Sequence, residues 1–158
     1  MSASPGKAKT PEPANRHFSH RLRTARQPTI LVVEDHDDTR EMLHTLLETW
    51  GCRVVEACNG LEAVEAATRE WPEMILMDGS LPFLDGLEAT RRIRANGFGD
   101  QVKILALDGW GTPSYHAAAL AAGCDDSIKK PLDFDQLRKY LTPLFVTSSQ
   151  GGENSIAV

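Results

Sequence analysis

The chain has 158 residues, of which 41% are apolar and 25% charged, enough for one globular core and too few for two domains. No apolar run reaches the ~18 residues of a membrane-spanning helix, and no apolar segment follows the N-terminus to act as a secretory signal. The net charge of −5 is unevenly divided: residues 1–28 set Lys7, Lys9, Arg16, Arg21, Arg23 and Arg26 against Glu12 alone, a net +5, so the remainder carries −10. An acidic body of this kind does not suit a nucleic-acid-binding domain.

The three cysteines, Cys52, Cys58 and Cys124, are odd in number and lack a close repeated spacing. That argues against a disulfide framework or a zinc knuckle and fits a reducing, cytoplasmic setting. Residues 1–28, with Pro5, Pro11, Pro13 and Pro28 and few large apolar side chains, read as a disordered basic arm. Residues 29–146 read as the folded domain, and 147–158, rich in Ser and Gly, as a flexible tail.

The folded part alternates short apolar runs with helical patterns. Ile30-Leu31-Val32-Val33 is a strand buried on both faces, and it ends in Glu34-Asp35. Met42, Leu43, Leu46, Leu47 and Trp50 follow at helical spacing, and Gly51 stops the helix. Val54-Val55 forms the core of a second strand. Asn59-Gly60 turns the chain into a helix marked by Leu61, Val64 and Ala67. Met74-Ile75-Leu76-Met77 is a third strand ending at Asp78. A helix over 86–95 leads to a fourth strand over 102–107. Thr112-Pro113 is an N-cap followed by proline at the first helical position, opening an alanine-rich helix that Gly123 closes. Ser127-Ile128-Lys129 is the fifth strand, and Phe134, Leu137, Leu141 and Leu144 mark the last helix. Five strands joined by helical crossovers predict an α/β fold, a doubly wound (βα)5 parallel sheet with helices on both faces.

Such sheets work beyond the carboxyl ends of their strands. If the first and third strands are neighbours, Glu34, Asp35 and Asp78 converge there with Lys130 of Lys130-Pro131. Three carboxylates repel one another unless a cation neutralises them. Oxygen ligands suit a hard ion such as Mg²⁺, which leaves room for a phosphate oxygen, and a lysine can hold another. This is an arrangement for phosphoryl transfer to a carboxylate nucleophile. Singly, each piece has an ordinary reading: an acidic pair can cap the next helix, an Asp at a strand end can form a turn, and a lysine before proline can be solvated. Their combination on the correct strands is harder to dismiss.

Over about residues 29–146 the sequence resembles a bacterial response-regulator receiver domain. The matching segments are Ile30 to Asp35, Asn59-Gly60, Met77-Asp78 through Leu81-Pro82 to Asp85-Gly86, and Lys130-Pro131. The resemblance implies a flavodoxin-like sheet in the order 2-1-3-4-5 and phosphorylation at Asp78. It implies Mg²⁺ bound by Asp35, Asp78 and the backbone carbonyl of Ser80, with Glu34 assisting through water. Lys130 would contact the phosphoryl group, and the Lys130-Pro131 peptide would be cis. The implied partners are a sensor histidine kinase or phosphotransfer protein and a downstream protein target. The domain would be a phosphoacceptor, not an enzyme beyond catalysing its own phosphorylation and dephosphorylation.

Two positions depart from that pattern. Asp108 stands at the end of the fourth strand where the family has Thr or Ser, and Ser127 stands where an aromatic residue is usual. An ionised Asp108 about 4 Å from a phosphoryl oxygen costs on the order of 4 kcal/mol at an effective dielectric near 20. Two arrangements relieve that repulsion: Asp108 pairs with Lys130, or it faces the metal. Phosphorylation relayed through Trp110 or Tyr115 is one expectation. A phosphorylation-independent interaction module is the alternative, and a phosphatase-like hydrolase ranks below both because no second Asp stands two residues after Asp78. After Phe145 too few residues remain for an output domain, which needs about 60, so a stand-alone receiver acting through protein contacts is expected. A homodimer through the last helices is compatible with this, and the basic arm (Arg16, His17, His20, Arg21, Arg23, Arg26) reads as a solvated leader.

Overall fold

The computed structural model describes residues 26–97 and 99–146. Most of the basic arm and the whole C-terminal tail expected from the sequence lie outside these residues. Five strands, β1 (Thr29–Val33), β2 (Arg53–Ala57), β3 (Met74–Asp78), β4 (Lys103–Asp108) and β5 (Asp126–Lys129), form one parallel sheet in the order β2-β1-β3-β4-β5. Between and after them run α1 (Asp37–Thr49), α2 (Gly60–Glu70), α3 (Gly86–Ala95), α4 (Pro113–Ala122) and α5 (Phe134–Val146). A short 3₁₀ turn, Gly99–Gln101, precedes β4, which starts one residue later than the apolar pattern predicts and takes in Asp108.

Alternate residues of each strand enter opposite layers, because side chains on a strand point to the two faces in turn. Ile30, Val32, Met74, Leu76, Leu105 and Leu107 pack with Leu43 and Leu47 of α1 and with Leu137 and Leu141 of α5. Leu31, Val33, Ile75, Met77, Ile104 and Ala106 pack with the alanine-rich inner faces of α2, α3 and α4. The helices change sides because the chain winds outward from β1 to β2, then returns past β1 to β3. Between the carboxyl ends of β1 and β3 this reversal leaves a crevice, the usual ligand position in doubly wound sheets.

Local chemistry sets the helix starts. Asn59 Oδ1 accepts from the Glu62 amide at 2.9 Å, Asp85 Oδ1 from the Glu88 amide at 2.9 Å, and Thr112 Oγ1 from the Tyr115 amide at 3.2 Å. Helix α1 differs: its N-cap is His36, with no side-chain cap. Glu34 and Asp35 therefore do not cap α1, and the helix-cap reading of that pair falls away. Cys52, Cys58 and Cys124 are free thiols, and burial pushes Cys52 up to about 11, consistent with an inert core position.

Gly86 links the scaffold to the crevice. A Cβ there would stand 2.0 Å from the carbonyl oxygen of Asp78, so only glycine lets α3 begin this close to the end of β3. Gly86→Ala is expected to cost about 1–3 kcal/mol, as overpacking does. Urea denaturation checks this, and an unchanged midpoint would show that the turn gives way freely.

Candidate functional site

Pairing of β1 and β3 runs from Ile30 opposite Met74 to Val33 opposite Met77, so the next residues, Glu34 and Asp78, stand side by side at the sheet's edge. On the other flank, Asp108 pairs with Lys129, and the Lys130 amide donates to the Asp108 carbonyl at 2.8 Å. This brings Lys130 across the top of β3. Its Nζ donates to Glu34 Oε2 at 3.1 Å and lies 3.4 Å from Asp78 Oδ1. The Lys130-Pro131 peptide is cis.

Glu34 is fully buried and Asp78 is 4% exposed. Burial pushes Glu34 up, but the Lys130 hydrogen bond and charge outweigh it and hold the carboxyl below its usual value. Burial, reinforced by the charge of Glu34, pushes Asp78 up to about 6. Lys130 loses by burial and gains more from Asp78 and Glu34, so it stays firmly protonated. The pocket thus holds a cation beside two unequal carboxyls.

Asp35 completes the acidic set. Its Oδ1 is buried and accepts no hydrogen bond among the described residues. One donor atom from each of Glu34, Asp35, His36 and Asp78 falls within 4.8 Å of the others. The carboxylate oxygens suit a hard divalent cation, and Asp35 Oδ1, buried without a hydrogen bond and 3.2 Å from His36 Nδ1, is an atom such an ion would engage. Ser80 follows one residue beyond Gly79, its amide directed at Asp78 Oδ1 at 3.4 Å.

Asp108 occupies neither expected position. Its Oδ1 accepts from the amides of Trp110 and Gly111, both at 2.8 Å, tying down the loop after β4. The carboxylates around Lys130 are those of Glu34 and Asp78. Two loop amides in a short turn satisfy an aspartate locally, a competition the strand pattern does not reveal. Ser127 likewise looks outward, 2.6 Å from His116 Nδ1.

Two residues escaped the sequence reading. His36 Nδ1 lies 3.0 Å from Glu34 Oε1 and 3.2 Å from Asp35 Oδ1, and its bond to Glu34 raises the imidazole's affinity for a proton. Arg40 donates to the Glu34 carbonyl at 2.9 Å and to Asp37 Oδ1 at 2.6 Å, bracing the turn that carries the acidic pair. Its place one turn into α1 was the only available signal.

A family model described as the response regulator receiver domain matches residues 30–142. The chain belongs to that family. The response regulator MprA of Mycobacterium leprae is 38% identical to this receiver domain over 108 residues, 68% of this chain and 46% of that protein. The chain therefore spans about half the length of MprA. The receiver domain of the sensor histidine kinase PA1611 of Pseudomonas aeruginosa, solved with a magnesium ion coordinated in its active site cleft, is 34% identical at a TM-score of 0.70. That comparison covers 77% of this chain and 100% of the other. The receiver domain of Saccharomyces cerevisiae Ssk1, solved with the histidine phosphotransfer protein Ypd1, is 28% identical at a TM-score of 0.70, covering 76% of this chain and 90% of that one. The sheet order of this receiver is the one the resemblance implied. Among its described residues no helix is long and apolar enough to cross a membrane.

Proposed function

We propose that this receiver domain accepts a phosphoryl group on Asp78 from a sensor histidine kinase or a histidine phosphotransfer protein. Mg²⁺ would be held by Asp35, Asp78 and the backbone carbonyl of Ser80, with Glu34 assisting through water. The observation that carries the reading is the carboxyl of Asp78 set beside the Lys130 ammonium and the acids that follow β1, Glu34 and Asp35.

An oxygen of Asp78 forms the bond to phosphorus as the phosphorus–nitrogen bond of a phosphohistidine breaks. The electron pair returns to the donor imidazole, which takes up a proton. Lys130 holds a phosphoryl oxygen throughout, and Glu34 keeps Lys130 in place. A bound Mg²⁺ supplies charge neutralisation between Asp78 and the incoming phosphate. Exposed Phe83 and Trp110 lie in loops at the same end of the sheet and offer apolar anchors to the donor protein. The Mg²⁺-bearing and Ypd1-bound relatives support both halves of the reading. Output through a downstream protein and a cytoplasmic location go with it, and the reading is compatible with a homodimer through the last helices.

The alternative of a phosphorylation-independent module draws on one observation, the acceptor-only Asp108 at the rim of the pocket. Mass spectrometry after treatment with acetyl phosphate and Mg²⁺ separates the two readings. The wild type is expected to gain one phosphoryl group, and Asp108→Thr at least as much, since the substitution removes a negative charge. If neither protein gains mass, the interaction-module reading stands.

A further inference from the structure

We infer that the phenol of Tyr115 is the hydroxyl donor of this site, giving its O–H to a phosphoryl oxygen on Asp78 from the first turn of α4. The inference rests on phosphorylation at Asp78 as proposed above.

A phosphoryl group on Asp78 presents three strong acceptor oxygens. Lys130 would serve one and a bound cation another, which leaves a third. Asp108, the side chain that closes β4, is an acceptor already engaged with the amides of Trp110 and Gly111, so it offers no donor. Ser127, on β5, has its hydroxyl 2.6 Å from His116.

Tyr115 supplies what these two do not. Its backbone amide is fixed by Thr112 and its ring lies against Trp110, with centroids 5.1 Å apart. Its hydroxyl is buried and has no hydrogen-bond partner among the described residues. The place where it is buried is the informative point. A Cβ on Gly79, the residue directly after Asp78, would fall 2.1 Å from the Tyr115 oxygen and 2.8 Å from Cζ. The phenol thus occupies the space a side chain at position 79 would fill, and glycine there is what admits it beside the acceptor residue.

A buried hydroxyl without an acceptor is unfavourable, and the deficit is removed when an anionic oxygen arrives. Burial, with Cys124, Asp108, Asp78 and Asp85 nearby, holds the phenol above its ordinary value, so it keeps the proton it must donate. Simple packing accounts for the ring and leaves the orientation of the oxygen unexplained.

The test uses the full chain with Mg²⁺ and beryllofluoride, a phosphoryl analogue, titrated by calorimetry into wild type, Tyr115→Phe, Gly79→Ala and Asp78→Asn. Tyr115→Phe keeps the ring and removes an unsatisfied group, so its urea midpoint should be equal or higher. Its beryllofluoride affinity should fall on the order of tenfold, the value of a hydrogen bond to a charged group. Gly79→Ala should lose a similar factor by displacing the phenol. In the wild type the Tyr115 ζ-carbon NMR resonance should move on addition of beryllofluoride. If wild type binds and Tyr115→Phe or Gly79→Ala binds within twofold of it, or if the resonance stays still, the role of Tyr115 is overturned while phosphorylation at Asp78 stands. If wild type binds no better than Asp78→Asn, the phosphoacceptor reading fails and this one fails with it.

Discussion

Asp78→Asn is expected to take up no phosphoryl group and, without metal, to be more stable than the wild type at neutral pH. The first effect follows from chemistry: an amide has no anionic oxygen to form the bond to phosphorus. The second follows from the cost of holding a charge in a 4% exposed position beside Glu34. Burial and that neighbour move Asp78 from an ordinary 3.8 to about 6, so the folded state binds a proton more tightly than the unfolded chain does. The sign is then fixed. The favourable contribution is complete below the unfolded value and is lost as the pH rises through the folded one. At neutral pH the ionised group costs on the order of 2–3 kcal/mol, which asparagine avoids. Urea unfolding of both proteins at about pH 4 and about pH 7 measures it, the stability gap opening only at the higher pH. An equal gap at both values, or a less stable variant, would contradict the electrostatic account. The site thus lowers the stability of the resting domain, and a cation or phosphoryl group bound there can recover it.

Lys130→Met produces the opposite change. Glu34 is fully buried, and its charge is held by Lys130 at 3.1 Å against a burial effect that acts the other way. Removing one partner of a buried pair leaves an uncompensated charge, with a typical loss of about 3–5 kcal/mol. Because Lys130 is partly exposed and Asp78 shares its charge, the lower end of that range is expected. Without the ammonium, burial dominates at both carboxyls and both protonate more readily, so the loss should be larger at about pH 7 than at about pH 5. The phosphoryl group also loses its cationic contact, and beryllofluoride affinity should fall by more than tenfold. A variant that unfolds like the wild type at both pH values would show that Lys130 contributes little to holding the acids together.

Much of this was legible from residue order. Ile30 to Val33 and Met74 to Met77 announce themselves as strands because both faces are covered, which leaves an unbroken apolar run. Acids that end those runs must emerge at the carboxyl edge of the sheet, so the sequence alone names Glu34, Asp35 and Asp78. The edge strand β2 was seen only as Val54-Val55, because it is half covered and its flanking residues are polar or small. Its full extent, Arg53–Ala57, comes from pairing with β1.

What chain order could not supply is where side chains turn once several elements meet. Asp108 bends to two loop amides and leaves Lys130 to Glu34 and Asp78, a choice between partners that only distances settle. His36 joins the acidic cluster because α1 starts one residue later than a cap by Asp35 would allow. Tyr115 reaches over Gly79, 36 positions earlier in the chain, through the packing of α4 against the sheet. Covalent order and hydrophobic period dictate which residues reach the crevice, since strand direction and burial are local properties. Which of them touch there depends on competition among distant groups for the same few donors, and that is decided only when the helices have closed on the sheet.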